Sequence, residues 1–355
     1  MSLKGQTASQ ADLRFMALAL SLARRGLGQV SPNPAVGCVI VDRDGLVAGR
    51  GWTQKGGRPH AETEAIAQAG SRARGATAYV SLEPCAHHGV TGPCAQALIA
   101  AGVSRVVSAA QDPDPRVAGK GHAMLREAGI AVLTGVMERE ALLLNEGFIL
   151  RVTQNRPLVI LKIAMSIDGR IATASGQSQW ITGEAARAHG HMLRAQSDAI
   201  LIGAGTALAD DPLLTCRIPG LEARSPLRVV AAGTRPFTLP KRLAESKDHG
   251  EVLVLDTSLS GGQERPEPVA MLSALSAKGV TRLLIEGGST ISGAFLRAGL
   301  VDVLYAYRGA ALIGADGLAA TSQLGAREMA AVRRFRLESV TTLGDDVVEV
   351  FRPRA

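Results

Sequence analysis

The feature that most constrains the fold is an alternation of short apolar segments with amphipathic segments of about a dozen residues. Segments such as ATAYVSLEP (76–84) predict buried strands, and segments such as CAQALIAAG (94–102) predict helices. Strands that alternate with helices form a sheet with helices packed on its faces. The pattern therefore predicts an α/β protein.

The alternation is interrupted at Asn155-Arg156-Pro157. Proline cannot continue a helix, and it disfavours helical backbone in the residue before it. A predicted helix over 137–154 therefore ends here, and the strand pattern restarts with LVILKIAMS (158–166). A chain of 355 residues is also long enough for two domains. We expect one domain over residues 1–154 and a second over residues 155–355.

The other predicted elements follow the same periodicities. The first half is predicted to contain helices 12–26, 60–70, 94–102 and 119–129, a hairpin of strands 35–41 and 46–52, and strands 76–84, 103–110 and 130–136. The second half is predicted to contain strands 158–166, 198–204, 227–232, 251–256, 282–288 and 302–307.

Composition narrows the class of protein. No apolar run approaches the ~18 residues of a membrane-spanning helix, and the N-terminus lacks the apolar stretch of a signal peptide. Four cysteines are too few for a disulfide framework, which favours metal binding or catalysis in a reducing compartment. The net charge of +7 suits anionic small molecules, whereas 3% aromatic residues argue against stacking of nucleic-acid bases. We expect a cytoplasmic protein with small-molecule ligands and neither a nucleic-acid nor a membrane partner.

Three metal-ligating side chains occur next to predicted elements in the first half. His60 opens a helix, Cys85 follows a strand, and Cys94 opens the next helix. One imidazole and two thiolates leave the fourth position of a tetrahedral zinc site open for water. Glu62 lies two residues after His60, where a carboxylate can move a proton of that water.

Alternatives to this site remain open on these residues alone. His87 or His88, between the two cysteines, could complete a closed structural site with four protein ligands, as in a non-catalytic zinc-stabilised binding module. His60 could also be an ordinary surface histidine. The same ligands would accept iron or cobalt. The His-x-Glu spacing favours the catalytic arrangement.

His-Ala-Glu (60–62), Pro-Cys (84–85) and a second cysteine are similar to the signature of zinc-dependent cytidine and deoxycytidylate deaminases. The usual Cys-x-x-Cys is replaced by a longer spacing within LEPCAHHGVTGPC (82–94), which resembles the deaminase of riboflavin biosynthesis. The resemblance extends over SPNPAVGCVIV (31–41), GGRPHAETEA (56–65) and DPDPRVAGKGHAMLREAGI (112–130). It implies a cytidine-deaminase-like three-layer α/β/α domain that deaminates a phosphoribosylaminopyrimidine.

The resemblance also implies roles for matching residues. Those at its zinc and proton-shuttle positions are His60, Cys85, Cys94 and Glu62. Those at its substrate positions are Asn33, His87, Asp112 and Lys120. Asn33 is nearly as well explained as a turn residue in Pro-Asn-Pro. His87 and Lys120 are equally well explained as solvated side chains.

Two positions depart from this family pattern. Asp114 stands where the family usually has Asn, and an ionised carboxylate accepts hydrogen bonds without donating them. Gly92 replaces a proline near Cys94, which should loosen the ligand loop without removing a ligand. An alternative reading of the first half is a nucleoside, nucleotide or tRNA-base deaminase, although a tRNA deaminase would be expected to show Cys-x-x-Cys.

Three segments of the second half place glycine-rich or polar turns between a strand and a helix: 156–183, 191–217 and 285–296. Backbone amides at such a helix N-terminus can bind a phosphate, although each turn alone is more often simply tight. Together the segments resemble the reductase of riboflavin biosynthesis, a relative of dihydrofolate reductase. The order of the two halves resembles the bifunctional deaminase/reductases of that pathway, which implies a dihydrofolate-reductase-like domain, NADPH as hydride donor and a homo-oligomer.

The residues at the NADPH positions of this family are Ala164, Trp180, Thr206, Asp210, Gly288, Ser289, Thr290, Ile291, Ser292, Gly293 and Ala294. The residues at its substrate positions are Lys162, Ser178, Arg194, Leu214, Arg217 and Glu286. Arg194 and Arg217 would suit a phosphate clamp, because guanidinium groups match phosphate oxygens. Trp180 is equally explained as a core residue. Ala232-Gly233 and YAYRGAALIG (305–314) depart from the family, which usually has Asp-Ser or Asp-Thr at the first position and an Ala-Pro segment at the second.

Overall fold

The computed structural model describes residues 7–87, 92–114, 118–234, 236–261 and 265–354. The chain divides into two compact units, Met1–Asn155 and Arg156–Ala355, here called the first and second units. Asn155 ends the last helix of the first unit in a left-handed conformation (φ 52°), which is a common way for a helix to stop. Among the described residues, no helix has the length and apolarity that crossing a membrane requires.

The first unit contains one sheet. Its strands are β1 (Gly37–Val41), β2 (Val47–Trp52), β3 (Thr77–Val80), β4 (Arg105–Ser108) and β5 (Ala131–Thr134). Its helices are α1 (Gln10–Ala23), α2 (Ala61–Ala69), α3 (Cys94–Ala100), α4 (Lys120–Glu127), α5 (Glu138–Leu144) and α6 (Glu146–Gln154). The strand order is β2-β1-β3-β4-β5. Because β2 and β3 are each antiparallel to β1 and β4 is parallel to β3, the strands β2, β3 and β4 end at the same edge.

Apolar side chains pack on both faces of this sheet, as the period of two along a strand requires. Val39 and Val107 belong to a buried cluster with α1 and α5 residues. Their chain neighbours Ile40 and Val106 belong to a second cluster with α2, α3 and α4 residues. The unit therefore has the three-layer α/β/α architecture that the sequence resemblance implied.

The close packing of α2 against β2 depends on two glycines. A Cβ on Gly49 would lie 2.1 Å from the carbonyl oxygen of Ala65, and a Cβ on Gly51 would lie 2.1 Å from the carbonyl oxygen of Ala61. A side chain at either position would therefore push the helix away from the sheet. Since α2 begins directly after His60, these glycines set the position of a predicted metal ligand.

The prediction of one helix over 137–154 is wrong, because the segment forms α5 and α6 with a break at Asn145. The buried Asn145 side chain accepts a hydrogen bond from the Ala35 amide at 2.8 Å and donates to the Ala35 carbonyl at 3.1 Å. These bonds to a distant segment fix Asn145 out of helical geometry. The other elements predicted for this half are present, with shifted ends.

The second unit contains a larger mixed sheet. Its strands are β6 (Leu158–Met165), β7 (Arg170–Ala172), β8 (Ala199–Gly203), β9 (Leu227–Ala231), β10 (Val252–Leu255), β11 (Arg282–Ile285), β12 (Val303–Arg308), β13 (Leu318–Ala319), β14 (Phe335–Leu343) and β15 (Asp346–Pro353). Its helices are α7 (Glu184–Ala195), α8 (Ala204–Asp210), α9 (Lys241–Glu245), α10 (Pro268–Ala277) and α11 (Ser289–Ala298). The main sheet has the order β10-β9-β8-β11-β6-β12-β15-β14, and β7 pairs with β13.

The chain leaves two neighbouring strands of this sheet in opposite directions. After β6 it crosses to β8, on the far side of β11, and after β11 it crosses to β12, on the far side of β6. All four strands run parallel. Ligands of parallel sheets bind outside the carboxyl ends of strands at such a switch point. The topology therefore places a candidate site at the ends of β6 and β11.

The hairpin of β14 and β15 is absent from the sequence prediction, which contains no strand after residue 307. Most of β14 is exposed, including Leu337 and Val340, so the strand carries no clear inside–outside alternation. The turn Gly344-Asp345 between apolar runs is a hairpin signal that could have found it.

We expect Gly51→Ala to destabilise the first unit by about 1–3 kcal/mol, the cost of overpacking a close contact. Urea unfolding of the full chain measures this change. The matched control is Gly205→Ala, because a Cβ there meets no atom within 4 Å. An unfolding free energy for Gly51→Ala equal to that of the control would contradict the role given to the glycine.

Candidate functional site

The three predicted metal ligands come together in the first unit. One ligand atom from each of His60, Cys85 and Cys94 lies within 4.8 Å of the others. His60 Nδ1 lies 3.2 Å from Cys94 Sγ and 3.7 Å from Cys85 Sγ. Across the described parts of the chain, no other group of three or more such side chains could hold a metal ion. His87 is not a member of this group, and His88 lies outside the described residues.

Two of the ligands stand where a helix starts, and the third lies in the loop that follows a strand. His60 caps the N-terminus of α2, Cys85 follows β3, and Cys94 is the first residue of α3. The Cys94 amide donates a hydrogen bond to Cys85 Sγ at 3.3 Å. Free amides at a helix N-terminus stabilise a thiolate. The backbone therefore prepares this site for negatively charged sulfur.

The three ligands also share protons. A hydrogen bond with Cys94 lowers the pKa of Cys85, and a hydrogen bond with Cys85 raises the pKa of His60 and of Cys94. Thiolates and neutral imidazole are the forms that bind metal, so a divalent cation would replace the shared protons. One nitrogen and two sulfur donors with a fourth position open fit a catalytic zinc ion.

Glu62 lies beside this group in the first turn of α2 and is only 3% exposed. Burial raises the pKa of its carboxyl group, and the nearby Cys85 thiolate raises it further. A carboxyl with a raised pKa beside a metal site is suited to general acid–base catalysis. Glu62 lines the same cleft as His60 and Cys85, so a bound molecule can reach all three.

The cleft encloses about 110 Å³, and three of the four predicted substrate residues line it: Asn33, His87 and Asp112. Asn33 donates to the Gly57 carbonyl at 2.9 Å, which fixes its amide. Lys120 is the exposed first residue of α4 and is not among the lining residues, so the structure does not bring it to the cleft.

Two carboxylates of the cleft lie side by side. Asp112 Oδ1 accepts a hydrogen bond from the Asp114 amide at 2.8 Å, and both side chains are buried. Burial raises the pKa of Asp112 to about 6, and the negative charge of Asp114 contributes to the shift. The aspartate that departs from the family pattern therefore faces the same cleft as Asp112.

Glu83 is a buried residue of the cleft that the sequence analysis missed. Its Oε1 accepts from the Gly121 and His122 amides at 2.9 and 3.2 Å. Its Oε2 accepts from the Gly119 and Asp112 amides at 2.9 and 3.3 Å. One carboxylate therefore joins the end of β3, the Asp112 segment and the start of α4. A glutamate directly before Pro-Cys is the signal that could have found it.

In the second unit, predicted substrate residues from three elements form an ion-pair network. Arg194 of α7 donates two hydrogen bonds to Glu286, at 2.8 and 3.0 Å. Lys162 Nζ of β6 lies 3.9 Å from Glu286 Oε2. Arg194 also donates to the Thr215 carbonyl at 2.9 Å, so protein groups engage its guanidinium. The Arg217 side chain is exposed, and partial desolvation together with the nearby Arg194 charge lowers its pKa. That the two arginines form a phosphate clamp stays a prediction.

Two glycine turns meet next to this network. The Gly288 amide donates to Thr206 Oγ1 at 3.1 Å and links the starts of α8 and α11. Gly288 caps α11 without a side-chain hydrogen bond, so amides of the first helical turn are available to an anion. These turns fit the phosphates of a dinucleotide. Ile291, Ser292 and Gly293 are buried, so the structure exposes little of these three residues to such a ligand.

The remaining predicted residues of the second unit have different environments. Trp180 is 65% exposed, so the alternative that it is a core residue is wrong. The Arg187 guanidinium lies 4.6 Å from the centre of its ring. Asp210 is exposed at the end of α8, Leu214 is buried, and Ser178 is half-buried in the segment before α7. Ala164, Ser289 and Ala294 are half-buried, and Thr290 is exposed.

Comparisons with known proteins agree with both units. A family model described as "Cytidine and deoxycytidylate deaminase zinc-binding region" matches residues 9–110, and one described as "RibD C-terminal domain" matches residues 157–349. The "Riboflavin biosynthesis protein RibD" of Escherichia coli is 42% identical over 362 residues, with 95% of this chain and 98% of the relative covered.

Solved structures give the same result. RibD of Acinetobacter baumannii superposes with a TM-score of 0.88 at 40% identity, covering 98% of this chain and 99% of that chain. A diaminohydroxyphosphoribosylaminopyrimidine deaminase/5-amino-6-(5-phosphoribosylamino)uracil reductase of Thermotoga maritima superposes with a TM-score of 0.83 at 34% identity, covering 97% and 99%. The two family resemblances predicted from the sequence are confirmed. The chain belongs to the RibD family, the bifunctional deaminase/reductases of riboflavin biosynthesis.

Proposed function

We propose that the first unit deaminates 2,5-diamino-6-(5-phosphoribosylamino)pyrimidin-4(3H)-one with zinc. We further propose that the second unit uses NADPH to reduce the ribosyl group of 5-amino-6-(5-phosphoribosylamino)uracil to a ribityl chain. The observation that carries this division is the presence of a complete polar site in each unit. The first site has Glu62 beside three ligands with one open position. The second has the Lys162–Glu286–Arg194 network beside glycine turns.

In the deamination, a bound zinc ion supplies the Lewis acidity that makes water nucleophilic near neutral pH. Glu62 accepts one proton from the attacking water and delivers it to the ring nitrogen of the pyrimidine. It then accepts the proton of the newly added hydroxyl group and delivers it to the departing amino group. The C–N bond breaks, ammonia leaves and a carbonyl forms. Asn33 and Asp112 orient the pyrimidine from the cleft wall, and His87 faces the ribosyl phosphate. The raised pKa of Glu62 supports this role, because the carboxyl must both take up and release a proton.

In the reduction, NADPH supplies a hydride to C1′ of the ribosyl group. The Lys162 ammonium donates a proton to the ribose oxygen that leaves C1′ as the ring opens. Glu286 holds Lys162 and Arg194 in place through its two oxygens. The amides at the start of α11 and the Thr206 hydroxyl bind cofactor phosphate. Trp180, Asp210 and the residues 289–294 stay predictions for further cofactor contacts, and Ser178, Leu214 and Arg217 for substrate contacts.

Both substrates are small anionic molecules, which suits the net charge of +7. This class of ligand supports the expectation of a cytoplasmic enzyme that binds neither nucleic acid nor membrane. That the enzyme works as a homo-oligomer stays a prediction from the family resemblance.

Glu62→Gln and Lys162→Met should separate the two activities. Glu62→Gln removes the proton shuttle at nearly constant size, so we expect deaminase kcat to fall by ~10²–10⁴ with zinc retained. Its oxidation of NADPH should equal wild type when the deaminated compound is supplied. Lys162→Met should retain ammonia release and oxidise NADPH much more slowly than wild type. Ammonia assays, NADPH absorbance and metal analysis measure these effects. Loss of both activities in either variant, with the fold intact, would contradict two independent sites.

Asp114→Asn should improve the binding of the deaminase substrate. The amide removes the repulsion between two adjacent buried carboxylates and can donate a hydrogen bond to the pyrimidine. We expect deaminase KM to fall by about threefold to tenfold, the strength of one hydrogen bond. Asp114→Ala is the control, since it removes the charge without adding a donor. An equal KM for the Asn and Ala variants would show that donation by residue 114 is unimportant.

A further inference from the structure

Tyr307 of β12 lies beneath the Lys162 side chain, although the sequence analysis gave it no role. Tyr307 is only 1% exposed. Lys162 Nζ lies 5.5 Å from the centre of its ring, within the range in which a ring face attracts an ammonium group. In the parallel pairing of β12 with β6, Tyr305 is opposite Lys162 and Tyr307 is opposite Ala164. Tyr307 is therefore the diagonal neighbour of Lys162 on the sheet.

His189 of α7 fixes the orientation of this ring. Its Nδ1 lies 2.6 Å from the Tyr307 hydroxyl, and the two rings are inclined at 57°. A buried tyrosine hydroxyl requires a hydrogen-bond partner, and His189 supplies it. On the same helix, a Cβ on Gly190 would lie 4.0 Å from Lys162 Cε. Helix α7 therefore reaches both the aromatic ring and the lysine side chain.

Glu286 Oε2 lies 3.9 Å from the Lys162 ammonium, and Arg194 of α7 fixes that carboxylate with two hydrogen bonds. Lys162 thus has an aromatic ring face and a carboxylate as its neighbours, and α7 positions both. Burial lowers the pKa of Lys162, whereas Glu286 raises it. A contact that favours the ammonium form without forming a tight ion pair leaves its protons available to a substrate.

We propose that Tyr307, oriented by His189, is a positioning residue for Lys162 in the reductase site. The ring face and the Glu286 carboxylate together hold the ammonium at the carboxyl end of β6, where the ribosyl group is reduced. This inference rests on the assignment of Lys162 under the proposed function. It also gives a role to part of the 305–314 segment, which departs from the usual family pattern.

The test compares single and double variants of the full-length, zinc-loaded protein. The measured quantity is reductase kcat/KM with the deaminated compound and NADPH, taken from single turnovers with enzyme in excess so that slow variants are quantified. Tyr307→Leu removes the ring face, and we expect a loss of about tenfold, the strength of a partly desolvated cation–π contact. Tyr307→Phe retains the ring, and we expect less than about a threefold loss.

The decisive variant is Tyr307→Leu combined with Lys162→Met. If Tyr307 acts through Lys162, its replacement lowers kcat/KM no further once the lysine is absent, because the two effects are coupled. His189→Leu is a second route to the same result. We expect it to cause about a threefold loss, by releasing the ring, and no loss in the Lys162→Met background.

The outcomes distinguish this inference from the function on which it rests. Wild-type kcat/KM in Tyr307→Leu, or an equal further loss in the Lys162→Met background, would overturn the positioning role. Full reductase activity in Lys162→Met alone would instead overturn the assignment of Lys162. Circular dichroism and the unfolding midpoint identify a variant that fails to fold. If Tyr307→Leu fails to fold, the kcat/KM values of His189→Leu and Tyr307→Phe test the positioning role, because both variants keep an aromatic ring at position 307.

Discussion

The direction of the parallel strands is the constraint on which both sites depend. In the first unit, β2, β3 and β4 end at one edge of the sheet, and the segments after them carry His60, Cys85 and Asp112. In the second unit, β6 carries Lys162 towards its end, and Glu286 follows β11 directly. At such an edge the sheet no longer uses the backbone hydrogen-bonding groups, so they can bind ligands. The chemistry of each unit therefore lies outside its apolar core.

Close packing then brings the side chains of the first site within reach of one another. Gly49 and Gly51 let α2 lie against β2, and a Cβ on Gly121 would lie 1.9 Å from the Pro84 carbonyl oxygen. Glu83 anchors the same region, because four backbone amides share its buried carboxylate. A buried charge is stable only when it is paired or hydrogen-bonded, so this carboxylate requires the surrounding loops to keep their positions. The placement of the three metal ligands and of the cleft lining therefore depends on these contacts.

Local sequence could predict the groups whose role depends on residue type and spacing. His60, Cys85 and Cys94 are recognisable because zinc requires such donors next to the ends of predicted elements, and Glu62 is recognisable by its spacing from His60. Glu83, Asn145 and the Tyr307–His189 pair could not be assigned in this way. Their partners lie 29 to 39, 110 and 118 residues away along the chain. Such contacts are set by tertiary packing. The hydrophobic period of a strand or helix carries no information about which distant residues pack together. Strand β14 was missed because most of its residues are exposed, so it shows no alternation of apolar and polar residues.

The most direct measurement follows ammonia and NADPH together in one reaction of the purified, zinc-loaded full chain with the diaminopyrimidinone substrate. We expect ammonia to be released whether or not NADPH is present. We expect NADPH to be oxidised only after ammonia appears, with one NADPH consumed for each ammonia released. Absence of ammonia from zinc-loaded protein, or oxidation of NADPH before any ammonia appears, would contradict the proposed order of two separate sites.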